Sequence, residues 1–312
     1  MRRAWPAGRA PVKALVAFLL VACGSGDAPD GRPSYPAFDA DSAYGLLVRQ
    51  VEFGPRVPGS EGHAAQLAWM SSYLQARADT VWQQPFRHET GDGRVLALTN
   101  VVAQFRPGIG ERILLGTHWD TRPMADREDD PELVDQPIPG ANDGGSGVAV
   151  LLHLADVLSR HSPPIGVDLI FFDGEDWAPG ETHLGSKHFA LHMPPGYRAL
   201  YGVVVNMVAD TSPEFPAESY SQQYAPEVVI RVWQLAEELG YGSYFPRRSG
   251  LAVDGPHVPL SQAGVRTIDI IDFDYGPDNA YWHTHDDMPE NVSAEGLGVV
   301  GNMLSALLAG GG

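Results

Sequence analysis

Apolar positions along this chain switch between two periods, and the switching predicts its architecture. Ala43, Leu46, Leu47 and Val51, then Ala65, Leu67, Met70 and Leu74, recur at helical spacing, which predicts two helices joined by the Gly/Pro-rich loop 54–59. Short, nearly continuous apolar runs follow at 96–105, 112–117, 167–172, 200–208 and 266–273. Runs of that length bounded by turn residues read as strands buried on both faces. Between and after them lie helix-period segments at 144–160, 185–192, 226–239 and 294–308; the first places Val148, Leu151, Leu152, Ala155 and Leu158 on one face. Alternating strands and helices predict an α/β fold, a three-layer α/β/α arrangement around a mostly parallel, twisted central sheet. No low-complexity linker interrupts residues 39–308, so they are expected to form a single domain.

The first residues follow a different pattern. Arg2, Arg3, Arg9 and Lys13 precede an apolar run at 14–22, far shorter than the ~20 residues that a membrane-spanning helix needs. Residues 1–22 therefore read as an export signal. Its end, Leu20-Val21-Ala22-Cys23, is similar to the lipobox of bacterial lipoproteins, whose cysteine is lipidated after cleavage; the alternative is an ordinary signal peptide with an incidental cysteine. Residues 23–38 are rich in Gly, Pro, Ser and Asp and suit a flexible tether. The expected localisation is that of an exported bacterial lipoprotein, meeting the membrane only through lipidated Cys23.

Composition narrows the partners. The formal charge of −18 deepens to −22 once the four basic residues of the leader are removed, which excludes nucleic acid, whose phosphates demand a basic surface. Cys23 is the only cysteine, so neither an internal disulfide nor a cysteine-rich metal site can form. A metal would have to be held by nitrogen and oxygen.

Four acid- and histidine-bearing clusters lie at or beside the ends of apolar runs: His118-Trp119-Asp120, Asn142-Asp143, Glu175-Asp176 and His283-Thr284-His285. In a parallel sheet, ligands gather at the carboxyl ends of strands, so these clusters are expected to converge on one edge. Unpaired carboxylates and imidazoles there would be costly, and a shared metal relieves that cost. Catalytic zinc takes about three His or carboxylate ligands and keeps one position open; Asp143, Asp176 and His283 would supply such a set.

Each piece also has a plainer reading. Asp143, in the glycine-rich stretch 139–147, either ligates a metal or caps the following helix. Glu175-Asp176 is either a ligand beside a proton carrier or a solvated acidic turn after Asp173-Gly174. His283 gains weight from Trp282, whose indole would make an apolar wall for substrate, with Asp286 or Asp287 as the nearest acceptors to orient the imidazole. His285 is compatible with a structural role, and His153 and His183 carry no such context and are read as structural. The acidic segment 126–135 is expected to be a surface loop at the rim.

At these residues the chain resembles a known family. Thr117-His118-Trp119-Asp120-Thr121-Arg122-Pro123, then 139–147, then Phe171-Phe172-Asp173-Gly174-Glu175-Asp176 and Tyr281-Trp282-His283-Thr284 are similar, in that order, to the zinc-dependent glutaminyl cyclases of bacterial and animal type. That family lies within the zinc aminopeptidase superfamily. The resemblance implies a zinc-exopeptidase-like fold and one Zn2+ held by Asp143, Asp176 and His283. It implies Glu175 as general acid/base and Trp282 and Trp119 as substrate-contacting residues. The implied substrates are peptide or protein N-termini, whose glutamine loses ammonia and closes to pyroglutamate while zinc polarises the side-chain amide.

Two positions depart from the family pattern. Asn206 stands where the family usually has an aspartate, which in two-zinc aminopeptidases helps hold the second metal. A neutral amide is a poorer ligand, so a second zinc involving His118 and Asp143 is disfavoured, and His118 is left as a second-metal or supporting residue. Before His257 the family places an acid directly; here Gly255-Pro256 intervenes and Asp254 is displaced. Asn206 and Asp254 are thus carried as catalytic-network candidates. The alternatives are a zinc aminopeptidase on the same scaffold and a non-catalytic surface lipoprotein that retains it for binding.

Overall fold

The computed structural model describes residues 36–310, together with Met1 and Ala4. The expected signal at 1–22, apart from those two residues, and the tether up to residue 35 lie outside the described residues. From Pro36 onward the described residues belong to one compact unit. Phe38, expected in the tether, is only 6% exposed. Its ring meets His153 edge-on at 4.5 Å, and its N–H donates to Asn302. A buried aromatic anchor thus ties down the chain just ahead of Asp39, whose side chain caps the first helix through the Ser42 N–H.

That helix, α1 (Ala40–Val51), is followed by α2 (Glu61–Gln75), which Ser60 caps in the same way. Six strands then form one sheet: β1 (Thr80–Glu89), β2 (Val95–Phe105), β3 (Arg112–His118), β4 (Gly166–Phe172), β7 (Tyr201–Asn206) and β8 (Thr267–Ile271), in the order β1-β2-β4-β3-β7-β8. The last four strands of that order run parallel, while β1 and β2 add an antiparallel edge. Every residue of β3 and β4 is buried, the reason their sequences read as unbroken apolar runs. β1 has no counterpart among the expected strands. It is an edge strand interrupted by Pro85 and largely half-exposed, so it needs no apolar run.

Helices cover both faces. On one face, α3 (Gly145–Arg160) buries thirteen of its sixteen residues, more than the single apolar face expected, because α1 and α8 (Ala294–Ala309) pack over it in the same core as α6 (Pro226–Glu238). On the other face, Phe189 of α4 (Leu184–Leu191) and Leu260 of α7 (His257–Gln262) pack on Leu114, Ile170 and Val204. α5 (Ser219–Tyr224), α7 and the hairpin β5 (Asp176–Ala178) and β6 (Glu181–Thr182) are too short to register as a period. The parallel strands deliver His118, Phe172, Asn206 and Ile271 to one edge of the sheet.

Candidate active site

At that edge three chain segments are fixed before any side chain meets another. The stretch 139–143 is held from beneath by Arg56, fully buried, which donates to the carbonyls of Pro139 and Gly140. From the other side the Asp287 carboxylate accepts the N–H groups of Asn142 (2.7 Å) and Asp143 (3.2 Å). Asn142 itself accepts from the Ala209 N–H at 2.9 Å, so its amide anchors backbone. The next helix then starts at close quarters: a Cβ at Gly147 would lie 2.2 Å from the Thr117 hydroxyl and 2.3 Å from the Val205 carbonyl. After β4, Asp120 takes the N–H groups of Glu175 (3.0 Å) and Asp176 (3.1 Å) on its two oxygens. Two consecutive amides on one carboxylate fix the direction in which each following side chain leaves.

The consequence is a division of labour between neighbouring acids. Asp176 Oδ1 accepts from Arg122 at 2.5 Å, while its buried Oδ2 has no hydrogen-bond partner. That oxygen lies 3.3 Å from His283 Nε2, which in turn lies 3.6 Å from Asp143 Oδ2. Zinc bonds of about 2.0 to 2.2 Å in tetrahedral geometry place ligand atoms roughly 3.3 to 3.6 Å apart, so the three groups fit that ion. They form the one set of three or more potential metal ligands found among the described residues. Glu175 is turned away from this set. Its Oε1 accepts the Ser186 N–H at 2.5 Å, and its Oε2 meets the Ser186 hydroxyl at 2.8 Å and His183 Nδ1 at 3.3 Å.

Electrostatics follow the same wiring. Burial opposes protonation of His283, but its contacts with Asp176 and Asp143 outweigh burial and raise its pKa. Burial likewise opposes charge on His118, yet Asp120 and Asp143 lift it well above its ordinary value. The same imidazole overcomes burial to hold both carboxyls below theirs. His183 would be lowered by burial, but the neighbouring Asp254 and Glu175 carboxylates raise it to about 9. These groups open on a cavity of about 280 Å³ whose apolar side includes Trp282, Phe273 and Ile271. Trp282 stacks on His283 with ring centroids 3.9 Å apart.

Several sequence expectations need correction. Trp119 does not face the cavity: it is fully buried, stacks on His63 at 4.2 Å and donates to the Thr99 carbonyl. The second of two consecutive residues leaving a strand turns to the opposite face, so Trp119 enters the core while His118 meets the cavity. His283 is oriented not by Asp286 or Asp287 but by Asp126, 2.9 Å from its Nδ1. Asp126 reaches across from the acidic segment, whose Glu128 also binds His285 at 3.1 Å. His183, read as structural, lines the cavity between Glu175 and Asp254. Asn206 faces His118 Nε2 at 3.2 Å, beside Asp143 Oδ1 at 3.0 Å.

Arg122 was missed as a site residue, although it stands two residues after the first cluster and four before Asp126, the spacing at which an Arg–carboxylate fork forms in this turn. Ser186 and Arg56 carried no sequence signal at all.

The arrangement, a mixed sheet with acids and histidines converging on its carboxyl edge, defines a zinc-dependent exopeptidase-like protein. Residues 100–308 match peptidase family M28, and the chain belongs to that family. Within it, the chain is 38% identical to the glutaminyl cyclase of Tannerella forsythia, with 88% of this chain and 99% of that one superposed at a TM-score of 0.84. A Zn-dependent exopeptidase from Parabacteroides distasonis is 36% identical over 88% of this chain and 99% of its own, at a TM-score of 0.85. The glutaminyl-peptide cyclotransferase of Bos taurus is 27% identical over 76% of this chain and 73% of its length.

Proposed function

We propose that this protein is a glutaminyl-peptide cyclotransferase, converting the N-terminal glutamine of peptides and proteins to pyroglutamate with release of ammonia. The observation that carries the reading is the asymmetry at the metal site. Asp143, Asp176 and His283 form one ligand set, and the position that would complete a second is the neutral amide of Asn206, 3.2 Å from His118. A single zinc held by the three ligands would act as a Lewis acid on the glutamine side-chain amide.

The chain's own residues do the rest. The Glu175 carboxylate, which Ser186 fixes, would take a proton from the substrate α-amine and return one to the departing ammonia. Trp282 and Phe273 line the cavity and would confine the short glutamine side chain, holding amine and amide carbon together, and this intramolecular ring closure needs no attacking water. In a hydrolytic exopeptidase the same carboxylate would instead activate water.

The test is ammonia release from Gln-initiated dipeptides, with and without chelator and with zinc restored. Cyclisation at about one zinc per chain supports the proposal. Release of free amino acids at about two zinc per chain would replace it with the aminopeptidase reading. Binding of zinc without either activity would favour a binding module.

We further propose that the protein is exported and anchored through lipidated Cys23. The basic-then-apolar leader ending at Leu20-Val21-Ala22-Cys23 supports this, and substitution Cys23→Ala should move the protein from the membrane to the soluble fraction.

A further inference from the structure

We propose that His183 and Asp254 are positioning residues for Glu175, forming a carboxylate–imidazole–carboxylate chain from the proton carrier to the mouth of the cavity. This rests on the reading of Glu175 as that carrier.

Backbone and side chain both tie His183 to Glu175. The β5/β6 hairpin pairs Thr182 with Asp176, and the His183 N–H donates to the Glu175 carbonyl at 2.9 Å. His183 sits in the left-handed region, with φ 59° and ψ 37°, an uncommon conformation for a side-chain-bearing residue. From there its Nδ1 lies 3.3 Å from Glu175 Oε2 and its Nε2 3.6 Å from Asp254 Oδ2. An imidazole with an acid at each nitrogen can donate to both. An acid on the far nitrogen fixes the ring's orientation for the near one, the logic of a catalytic triad.

The route of the chain explains why the acid stands at 254. Glu218 accepts the Val253 N–H at 3.0 Å and faces His257 Nε2 at 3.1 Å, so both ends of the segment 253–257 are pinned to one carboxylate. Within it, a Cβ at Gly255 would lie 3.1 Å from the buried Asp269 carboxylate. An acid at 255 would be driven against that like charge, whereas Asp254 points outward with 66% of its side chain exposed. Asn206, facing His118, offers Glu175 no acid, and among the described residues Glu175's carboxylate meets only Ser186 and His183.

The experiment uses the zinc-loaded full chain and a Gln-initiated dipeptide, with kcat, KM, zinc content and melting temperature measured for Asp254→Asn, His183→Asn and the double variant. Asparagine suits the left-handed backbone at 183, and exposed Asp254 can be changed without loss of folding. Each single variant should lower kcat about tenfold or more, as for loss of one close charged contact, with KM within about twofold and zinc retained. The double variant should be no slower than His183→Asn alone, because Asp254 acts only through the ring. Full kcat in Asp254→Asn, losses that multiply in the double variant, or a change confined to KM would overturn the inference. A wild type that fails to cyclise Gln peptides would overturn the cyclase reading and this inference with it; a cyclising wild type with unaffected variants would overturn the inference alone.

Discussion

Replacing Asp269 by asparagine should stabilise the protein at neutral and alkaline pH and do little in acid. Asp269 lies on β8, fully buried, with neither carboxylate oxygen hydrogen-bonded. Burial raises its pKa from 3.8 to about 6, against a partial offset from nearby His257, whose Nδ1 is 3.5 Å away. A folded carboxyl that holds its proton more tightly than the unfolded one makes the folded state the better proton binder between those two values. Stability is therefore lost as pH rises from about 4 to about 6, and the loss is complete above that. At about 1.4 kcal/mol per tenfold change in proton affinity, the span amounts to roughly 3 kcal/mol. Asparagine cannot ionise, so the variant escapes the loss. Urea denaturation of both proteins at matched pH isolates the effect, since contributions shared by the two cancel in the difference. The difference should grow by roughly 3 kcal/mol between about pH 4 and pH 8. A difference that stays flat would refute the reasoning, and would mean that a neighbouring group compensates the Asp269 charge.

Three further outcomes follow from the wiring of the site and its support. Glu175→Gln should reduce kcat by about 10²- to 10⁴-fold while zinc content is unchanged, because both Glu175 oxygens are committed to Ser186 and His183 rather than to the ligand set; loss of zinc would show that Glu175 and Asp176 have exchanged roles. Trp282→Ala should weaken substrate binding by about 1 to 3 kcal/mol, read as a raised KM, by removing the indole that lines the cavity and stacks on His283; an unchanged KM would remove Trp282 from the substrate wall. Asp168→Ala, at the opposite end of the sheet, should cost about 3 to 5 kcal/mol by stranding Arg112, which grips that carboxylate through two nitrogens. Its kcat at low temperature should match wild type, and a loss there would tie the far end of the sheet to catalysis.

The long elements were legible because each carries its burial in its own residues. β3 and β4 are buried on both faces and show it as continuous apolar sequence, and the helices over them repeat at their own period. The strand ends then had to bring His118, Glu175, Asp176 and Asn206 to one edge, and residue order in the four clusters identified the family. β1 escaped because an edge strand half in solvent has no apolar run to display, and α5, α7 and the β5/β6 hairpin are shorter than the period that would announce them.

Within the site, the sequence by itself determined which groups exist: acids in adjacent pairs, a histidine beside a tryptophan, an amide at 206 and no cysteine beyond Cys23. Only the tertiary structure decided what each one faces. Trp119 went to the core and Trp282 to the cavity. Asp126, 157 residues away in the chain, orients His283, and His183 stands between Glu175 and an acid 71 residues further along. The physical reason is that burial and periodicity are local properties written along the chain, whereas hydrogen-bond partners are set by which loops the sheet brings together, a relation that spacing does not encode.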